Sequence, residues 1–279
     1  MNATGMQRLA ARVSRWLGRD SLPVRLARPF YERVLDLATG GRGFARVING
    51  RERFYVHPRW RHLVPESYEP AACEYLRSRV RGGACALNVG AHVGVYALCL
   101  ARWSGPDGRV VAFEPNPKTR GILEEHVRRN GLTARIEVDA RAIGEAPGTA
   151  EFFAAGAQGT NRIGAPNPEA GLPHRSFEVR LTTIDAACAE RGIAPDWIVM
   201  DVEGFEVAAL KGAAQTLRSG RGRIGLVVEL HPHLWESSGT SREEFMALLE
   251  VHGLAARPLG AQSDPLVAPG VCALEWAGG

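Results

Sequence analysis

The chain has 279 residues, 45% of them apolar and 23% charged, with a formal net charge of +4. That size can bury a large core and suits one α/β domain with an appended segment. No window of about eighteen residues is apolar enough to span a bilayer, and five cysteines without a CxxC pair exclude a zinc knuckle or a disulfide framework.

Charge is unevenly placed. Residues 1–81 hold sixteen arginines against seven acids, and the remainder is mildly acidic. Only Lys118 and Lys211 are lysines, so the arginine bias reflects base composition rather than a phosphate-binding role. No signal peptide is visible after Met1, and the cytoplasm is the expected compartment. Residues 6–19, MQRLAARVSRWLGR, read as a short amphipathic helix with Leu9, Val13, Trp16 and Leu17 on one face and Arg8, Arg12, Arg15 and Arg19 on another. Such a helix docks on the domain or a partner; the alternative is peripheral contact with an anionic membrane surface.

Residues 43–57 alternate as a hairpin turning at Asn49-Gly50. Residues 68–80 predict a helix with Pro70 near its start. A regular βα alternation follows. Strands are expected at 84–89, 109–114, 134–139, 196–201 and 223–230, and helices near 93–103, 116–130, 182–191, 205–217 and 241–252. Continuous apolar runs such as IVM at 198–200 mark strands buried on both faces, and the alternation implies a doubly wound parallel sheet. Between 144 and 180, glycines and prolines break the pattern. The strand-like pieces EFFA (151–154) and FEVRL (177–181) flank an inserted loop at about 155–176, whose Thr160, Asn161, Arg162 and His174 suit a cap over a polar substrate. The chain thus divides into an N-terminal extension, 1–65, and an α/β domain, 66–279.

Three stretches carry chemistry. ACALNVGAHVGVYALCLARWSGPDGRVVAFEP (84–115) is strand, glycine turn, helix, strand and acid. Gly90 and Gly94 allow a tight turn and close approach of a ligand, and the helix entrance offers free N–H groups. Glu114 follows Gly94 by about twenty residues, the spacing of a carboxylate that accepts from ribose hydroxyls. Pro115 sets that acid at the carboxyl edge of the sheet. The turn lacks both the lysine of a phosphate loop and the third glycine of a dinucleotide site, so an adenosine cofactor without pyrophosphate is expected. IVMDVEGFEVAALKGA (198–213) ends a strand on Asp201 and opens a helix with Glu203 and Gly204, with both acids aimed at the crevice. LVVELHPHLWE (226–236) places Glu229 at a strand end and His231 beyond it, a candidate general base. His231 and His233 lack a third histidine, so a zinc site is not indicated.

Together these residues resemble the FkbM family of S-adenosylmethionine-dependent methyltransferases. The resemblance covers about residues 66–232 and is carried by LNVGAHVGVY (87–96), VVAFEPNPKTRGILEEHVRRNGL (110–132), ARAIGEAPGTAEFF (140–153), RLTTIDA (180–186), MDVEGFE…LKGA (200–213) and VVELHP (227–232). It implies a Rossmann-like class I methyltransferase fold, a mostly parallel seven-stranded sheet with its last strand antiparallel. It also implies O-methylation of sugars or specialised metabolites. By the same resemblance Asn88, Gly90, Ala91, His92 and Gly94 would shape the methionine and ribose side of the cofactor site, with Glu114 and Pro115 at the ribose. Ala142, Ile143 and Gly144 would lie against the adenine. Asp201 would sit near sulfonium and acceptor, and Glu203, Glu229 and His231 would complete the acceptor pocket. Family members commonly carry aspartate at position 88, asparagine at 92 and lysine at 199, where this chain has Asn88, His92 and Val199.

The expected reaction is methyl transfer from S-adenosylmethionine to a hydroxyl of a small-molecule acceptor. Oxygen, methyl and sulfur must lie in line, and a base must take the hydroxyl proton. His231 or Asp201 is the expected base, with Glu203 and Glu229 orienting the acceptor; a divalent cation on Asp201, Glu203 and Glu229 is the alternative. Two other readings stand beside this one: a nicotinamide-dependent oxidoreductase, and a non-catalytic binding protein that keeps the fold, motivated by Asn88 and Val199. Nucleic acid is not an expected partner.

Overall fold

The computed structural model describes residues 21–157, 159–168, 174–261 and 264–277, with a few isolated positions between 12 and 18. The basic helix expected at 6–19 otherwise lies outside the described residues. The first described helix, α1 (Leu22–Ala38), has Pro23 at its start and was not expected from the sequence. The hairpin is formed by β1 (Phe44–Ile48) and β2 (Glu52–Val56). Asn49 and Gly50 both take positive φ, 51° and 70°, and Arg51 N–H closes the turn on Ile48 O at 3.0 Å. That is the twist Asn-Gly favours between antiparallel strands. Ile48, Phe54 and Val56 of the hairpin lie in the same apolar cluster as the α/β core. Asn130 brackets Tyr55, accepting its N–H at 2.9 Å and donating to its carbonyl at 2.7 Å.

Next come α2 (Pro70–Arg79), β3 (Cys85–Val89), α3 (Val95–Trp103), β4 (Arg109–Phe113), α4 (Pro117–Arg129) and β5 (Ile136–Asp139). Helix α3 is buried at every position from Val95 to Ala101, so it lacks a polar face over most of its length. Helix α4 begins with Pro117 at N1 and Asn116 as N-cap, whose side chain accepts from Lys118 N–H at 3.0 Å. Short β6 (Ala142–Ile143), β7 (Gly148–Ala154), short β8 (Arg162–Ile163) and β9 (Arg175–Thr182) form a second sheet in the order β6-β9-β7-β8. The pieces read as EFFA and FEVRL therefore pair with each other, antiparallel, from Gly148↔Leu181 to Ala154↔Arg175.

The chain continues through α5 (Ile184–Arg191), β10 (Trp197–Asp201), α6 (Glu206–Lys211), α7 (Ala214–Ser219), β11 (Gly225–Leu230), α8 (Pro232–Trp235), α9 (Arg242–His252), β12 (Leu254–Pro258) and β13 (Gly270–Trp276). The single helix expected at 205–217 is two. Gly212 O accepts from Asp185 N–H at 2.9 Å, and the Asp185 carboxylate takes the N–H groups of Gln215 and Thr216 at 2.9 and 2.7 Å. A side chain thus caps α7 where a continuous helix would have used its own carbonyls.

The main sheet runs β12-β13-β11-β10-β3-β4-β5. All ladders are parallel except those of β13, which is antiparallel to β11 and β12. This is the seven-stranded order with one reversed strand that the resemblance implies. From β3 the chain winds first toward β4 and later to β10 on the other side, so the order reverses between β3 and β10. Open α/β sheets bind ligands at the carboxyl ends beside such a reversal. Among the described residues no helix is long and apolar enough to cross a membrane.

Candidate active site

A cavity of about 350 Å³ opens at the carboxyl ends of β3, β4 and β10. That volume lies in the range of small-molecule and cofactor sites. Gly90, His92, Glu114, Pro115, Ala142, Ile143, Asp201, Glu203 and Glu229 all line it, so strand ends up to 139 residues apart converge as expected. Asn88, Ala91, Gly94 and His231 do not line it.

At one end lies the turn after β3. Gly90 has φ +75°, and a Cβ there would stand 1.8 Å from Asp201 O. Gly94 has φ +93°, and a Cβ there would meet Leu123 Cδ1 at 2.3 Å. The expectation was that these glycines spare a ligand; the structure shows that they first spare the protein, because the turn is pressed against β10 and α4. Four N–H groups of the turn itself are also taken within the protein. Gly90 and Ala91 donate to Phe113 O at 3.1 and 2.8 Å, Gly94 donates to Ala91 O at 2.8 Å, and His92 donates to Glu114 Oε2 at 2.7 Å. Glu114 is buried, and its Oε1 accepts from Asn116 N–H at 2.9 Å and Thr119 Oγ1 at 2.8 Å. Burial raises its pKa, against the His92 charge and these hydrogen bonds. Three of about four acceptor sites on the carboxylate are filled by protein donors, leaving Oε2 the less occupied oxygen. His92 itself holds φ +50°, with ring Nε2 2.9 Å from Ala157 O.

At the other end carboxylates crowd together. Asp201 ends β10 and is paired in register with Glu229 on β11. Glu203 sits at φ +49° in the turn before α6, followed by Gly204 at φ +96°, where a Cβ would lie 2.7 Å from Leu234 Cβ. The expected helix entrance at Glu203 is thus a left-handed turn, and the helix starts at Glu206. Glu203 Oε2 accepts from Asn167 Nδ2 at 3.0 Å. His231 stands behind these acids, its Nε2 3.8 Å from both Glu203 Oε2 and Glu229 Oε1. Its Nδ1 is 2.9 Å from Glu206 Oε1, and the fully buried Glu206 also accepts from Gly204 N–H at 2.9 Å and Trp235 Nε1 at 2.8 Å.

Burial alone would lower the His231 pKa, but the Glu206 hydrogen bond and the charges of Glu206, Asp201 and Glu203 raise it to about 10. These surroundings favour the protonated imidazole, and His231 lies off the cavity wall, where its ordinary pKa suggested a neutral base. Burial lifts Asp201 well above the usual carboxylate range, reinforced by Glu229. Burial also raises Glu203 to about 7 and raises Glu229, in both cases against His231.

A family sequence model described as the methyltransferase FkbM domain matches residues 88–254, more than half of the chain. The chain belongs to that family. Several solved structures are similar to this FkbM chain. The FkbM methyltransferase of Methylobacillus flagellatus is 20% identical, with 70% of this chain and 44% of that chain covered and a TM-score of 0.48. This chain therefore spans less than half the length of that relative. The O-methyltransferase of Bacillus cereus in complex with SAH is 16% identical, covering 78% and 86%, with a TM-score of 0.44. Aeropyrum pernix fibrillarin with natively bound S-adenosyl-L-methionine is 15% identical, covering 73% of each chain, with a TM-score of 0.41. No curated protein matches the sequence significantly.

Two departures of this FkbM chain turn out to be neighbours. Asn88 and Val199 pair in register across β3 and β10. Asn88 is buried, donates only a long 3.4 Å bond to Val199 O, and leaves its Oδ1 unpartnered.

Of the loop residues expected to cap a substrate, Asn161 and Arg162 line the cavity and Thr160 and His174 do not. Arg162 is a buried cation, bonded to Ser237 Oγ at 2.9 Å and Leu234 O at 3.3 Å. His233 is exposed, its ring 6.1 Å from that of His231. Sequence reasoning missed Glu206, Thr119 and Tyr68, the last of which lines the cavity. Glu206 left a faint signal, as the third acid of DVEGFE, on the buried side of α6 beside Val207 and Leu210.

Proposed function

We propose that this FkbM chain binds S-adenosylmethionine in the cavity and transfers its methyl group to a hydroxyl of a small polar acceptor, such as a sugar or a specialised metabolite. The observation that carries the reading is Glu114, a buried carboxylate at the end of β4, lining the same cavity as the acids Asp201, Glu203 and Glu229. In this reading Glu114 accepts from the ribose hydroxyls through Oε2. Ala142 and Ile143 offer an apolar surface to the adenine, and Gly90 and His92 border the methionine part.

S-adenosylmethionine supplies an electrophilic methyl on a sulfonium. The protein holds the acceptor in line with the C–S bond and receives the hydroxyl proton. Asp201, Glu203 and Glu229 line the cavity and His231 stands behind them. An acceptor oxygen therefore meets a carboxylate first, and a carboxylate rather than the imidazole is assigned the proton. The acids also suit a hydroxyl-rich acceptor, because a carboxyl group accepts hydrogen bonds when ionised and donates one when protonated. Arg162 and Asn167 would hold Glu203 and the loop over this end.

The deciding experiment is calorimetry with S-adenosylhomocysteine and with NAD on the purified chain. Binding of S-adenosylhomocysteine and not of NAD supports the reading. NAD binding alone would replace it with an oxidoreductase, and binding of neither would leave a fold without catalysis.

A further inference from the structure

We propose that Asp201, Glu229 and His231 form a binding site for a single divalent first-row metal ion at the acid end of the cavity. The ligand set differs from the one read in the sequence by placing His231 where Glu203 was expected. One ligand atom from each of the three lies within 4.8 Å of the others. An ion with bonds near 2.1 Å spans ligand atoms up to about 4 Å apart, so small side-chain rotations complete the contact.

Two observations beyond proximity point to a ligand. First, polar atoms aimed into the cluster have no hydrogen bond. Asp201 Oδ1 is buried without a partner. The His231 side chain is only 8% exposed, yet the nearest carboxylate oxygens to its Nε2 stand at 3.8 Å, beyond hydrogen-bond distance. Second, the other ring nitrogen is already fixed. His231 Nδ1 is 2.9 Å from the carboxylate of Glu206, which Trp235 Nε1 and Gly204 N–H hold in turn. A histidine whose far nitrogen donates to a buried carboxylate presents its other nitrogen in the orientation that metal ligation requires, and the ion takes the place of the proton on that nitrogen, which is released on binding.

The fold supplies this geometry with rigid parts. Asp201 and Glu229 are register partners at the ends of adjacent parallel strands, and His231 is the N-cap residue of α8 directly beyond β11. Two carboxylates and one imidazole suit Mn²⁺ or Zn²⁺ better than Ca²⁺, which takes six to eight oxygens. An ion there would bring a positive charge to the wall opposite Glu114, where the acceptor is placed by the methyltransferase reading. Only this role rests on that reading; the binding itself does not.

The test is titration of chelator-treated full-length chain with Mn²⁺, followed by loss of the aqueous Mn²⁺ electron paramagnetic resonance signal. One ion per chain is expected, displaced by Zn²⁺. Glu229→Gln, at a partly exposed position, and His231→Asn are each expected to weaken binding at least tenfold, and Glu206→Gln by about 10–100-fold through loss of orientation. Circular dichroism checks that each variant folds, and Glu229→Gln alone suffices if the buried variants do not. Absence of saturable binding at millimolar Mn²⁺, or binding that Glu229→Gln leaves unchanged, overturns the site. Parallel calorimetry with S-adenosylhomocysteine separates the two readings. Product binding without Mn²⁺ binding removes only the metal site, and Mn²⁺ binding without product binding removes only the methyltransferase reading.

Discussion

At the Glu114 end of the cavity the backbone donors of the turn and three acceptor sites of the carboxylate are matched within the protein, whereas at the Asp201 end four carboxylates surround one imidazole and Asp201 Oδ1 has no partner. The first end is rigid before any ligand arrives. The second keeps unsatisfied polar atoms in a buried place, which costs stability and persists in native proteins where a ligand or a reaction uses them. On the proposed function, the contrast divides recognition from chemistry: the nucleoside would meet the preformed wall on β3 and β4, and the acceptor the charged wall on β10 and β11. Gly90 touches both, since its turn carries His92 toward Glu114 while its Cα presses on Asp201 O.

The strongest way to break this contrast is therefore Gly90→Ala. The added Cβ meets a backbone carbonyl and requires a left-handed residue, so a loss of about 3–5 kcal/mol is expected in denaturant midpoints. An unchanged midpoint would show that the two walls are not pressed together.

A second test reads the rigid end through pH. His126 on α4 has ring Nδ1 2.9 Å from Val93 O, and its Nε2 is buried without a partner. Burial lowers its pKa to about 4, with the charges of His57 and Arg129 adding to the shift, while the Val93 hydrogen bond and Glu125 oppose it. The folded pKa lies below the unfolded value, so the unfolded chain takes up the proton first. Stability from this group is present above about pH 6.5 and falls as pH drops through 4, by about 3 kcal/mol. His126→Asn is expected to flatten that part of the stability–pH curve. A curve identical to the wild type would assign the loss to other groups.

The charged end is tested by Glu203→Gln. A methyltransferase using these acids should lose about 10²-fold or more in turnover, the scale of general-base catalysis, while its dissociation constant for S-adenosylhomocysteine stays within about twofold. The reverse pattern would move Glu203 to the cofactor end. The smallest expected effect is the mirror experiment, Glu114→Gln. Losing one charge-assisted hydrogen bond should weaken product binding by about tenfold with little change in turnover at saturation. Equal losses in both quantities would mean that the two ends act as one.

Much of the fold was legible in the chain because its signals are local. Apolar runs ending in an acid located β4, β10 and β11, and a run ending in a glycine turn located β3, each to within two residues, and Asn49-Gly50 announced its turn. Ser241 and Gly253 bound α9, with the Ser241 hydroxyl accepting Glu244 N–H at 3.2 Å. What escaped was non-local. The two-residue strands β6 and β8 are too short for any periodicity, and they exist because β9 and β7 offer them edges. The break between α6 and α7 depends on Asp185, thirty residues away on α5. The side chain that orients His231 was visible only as one acid among many, because its partner lies 25 positions further on.

By itself the sequence determined the layered α/β architecture and the acids that gather at the sheet's carboxyl edge, since periodicity, turn residues and strand-end carboxylates are properties of short segments. Only the tertiary structure decided that the turn's glycines and N–H groups serve the protein, that Asn88 and Val199 are neighbours, and that His231 is an oriented group behind the cavity wall. Each of those facts depends on distances between strands, and burial and charge are set by neighbours that the chain brings together only on folding.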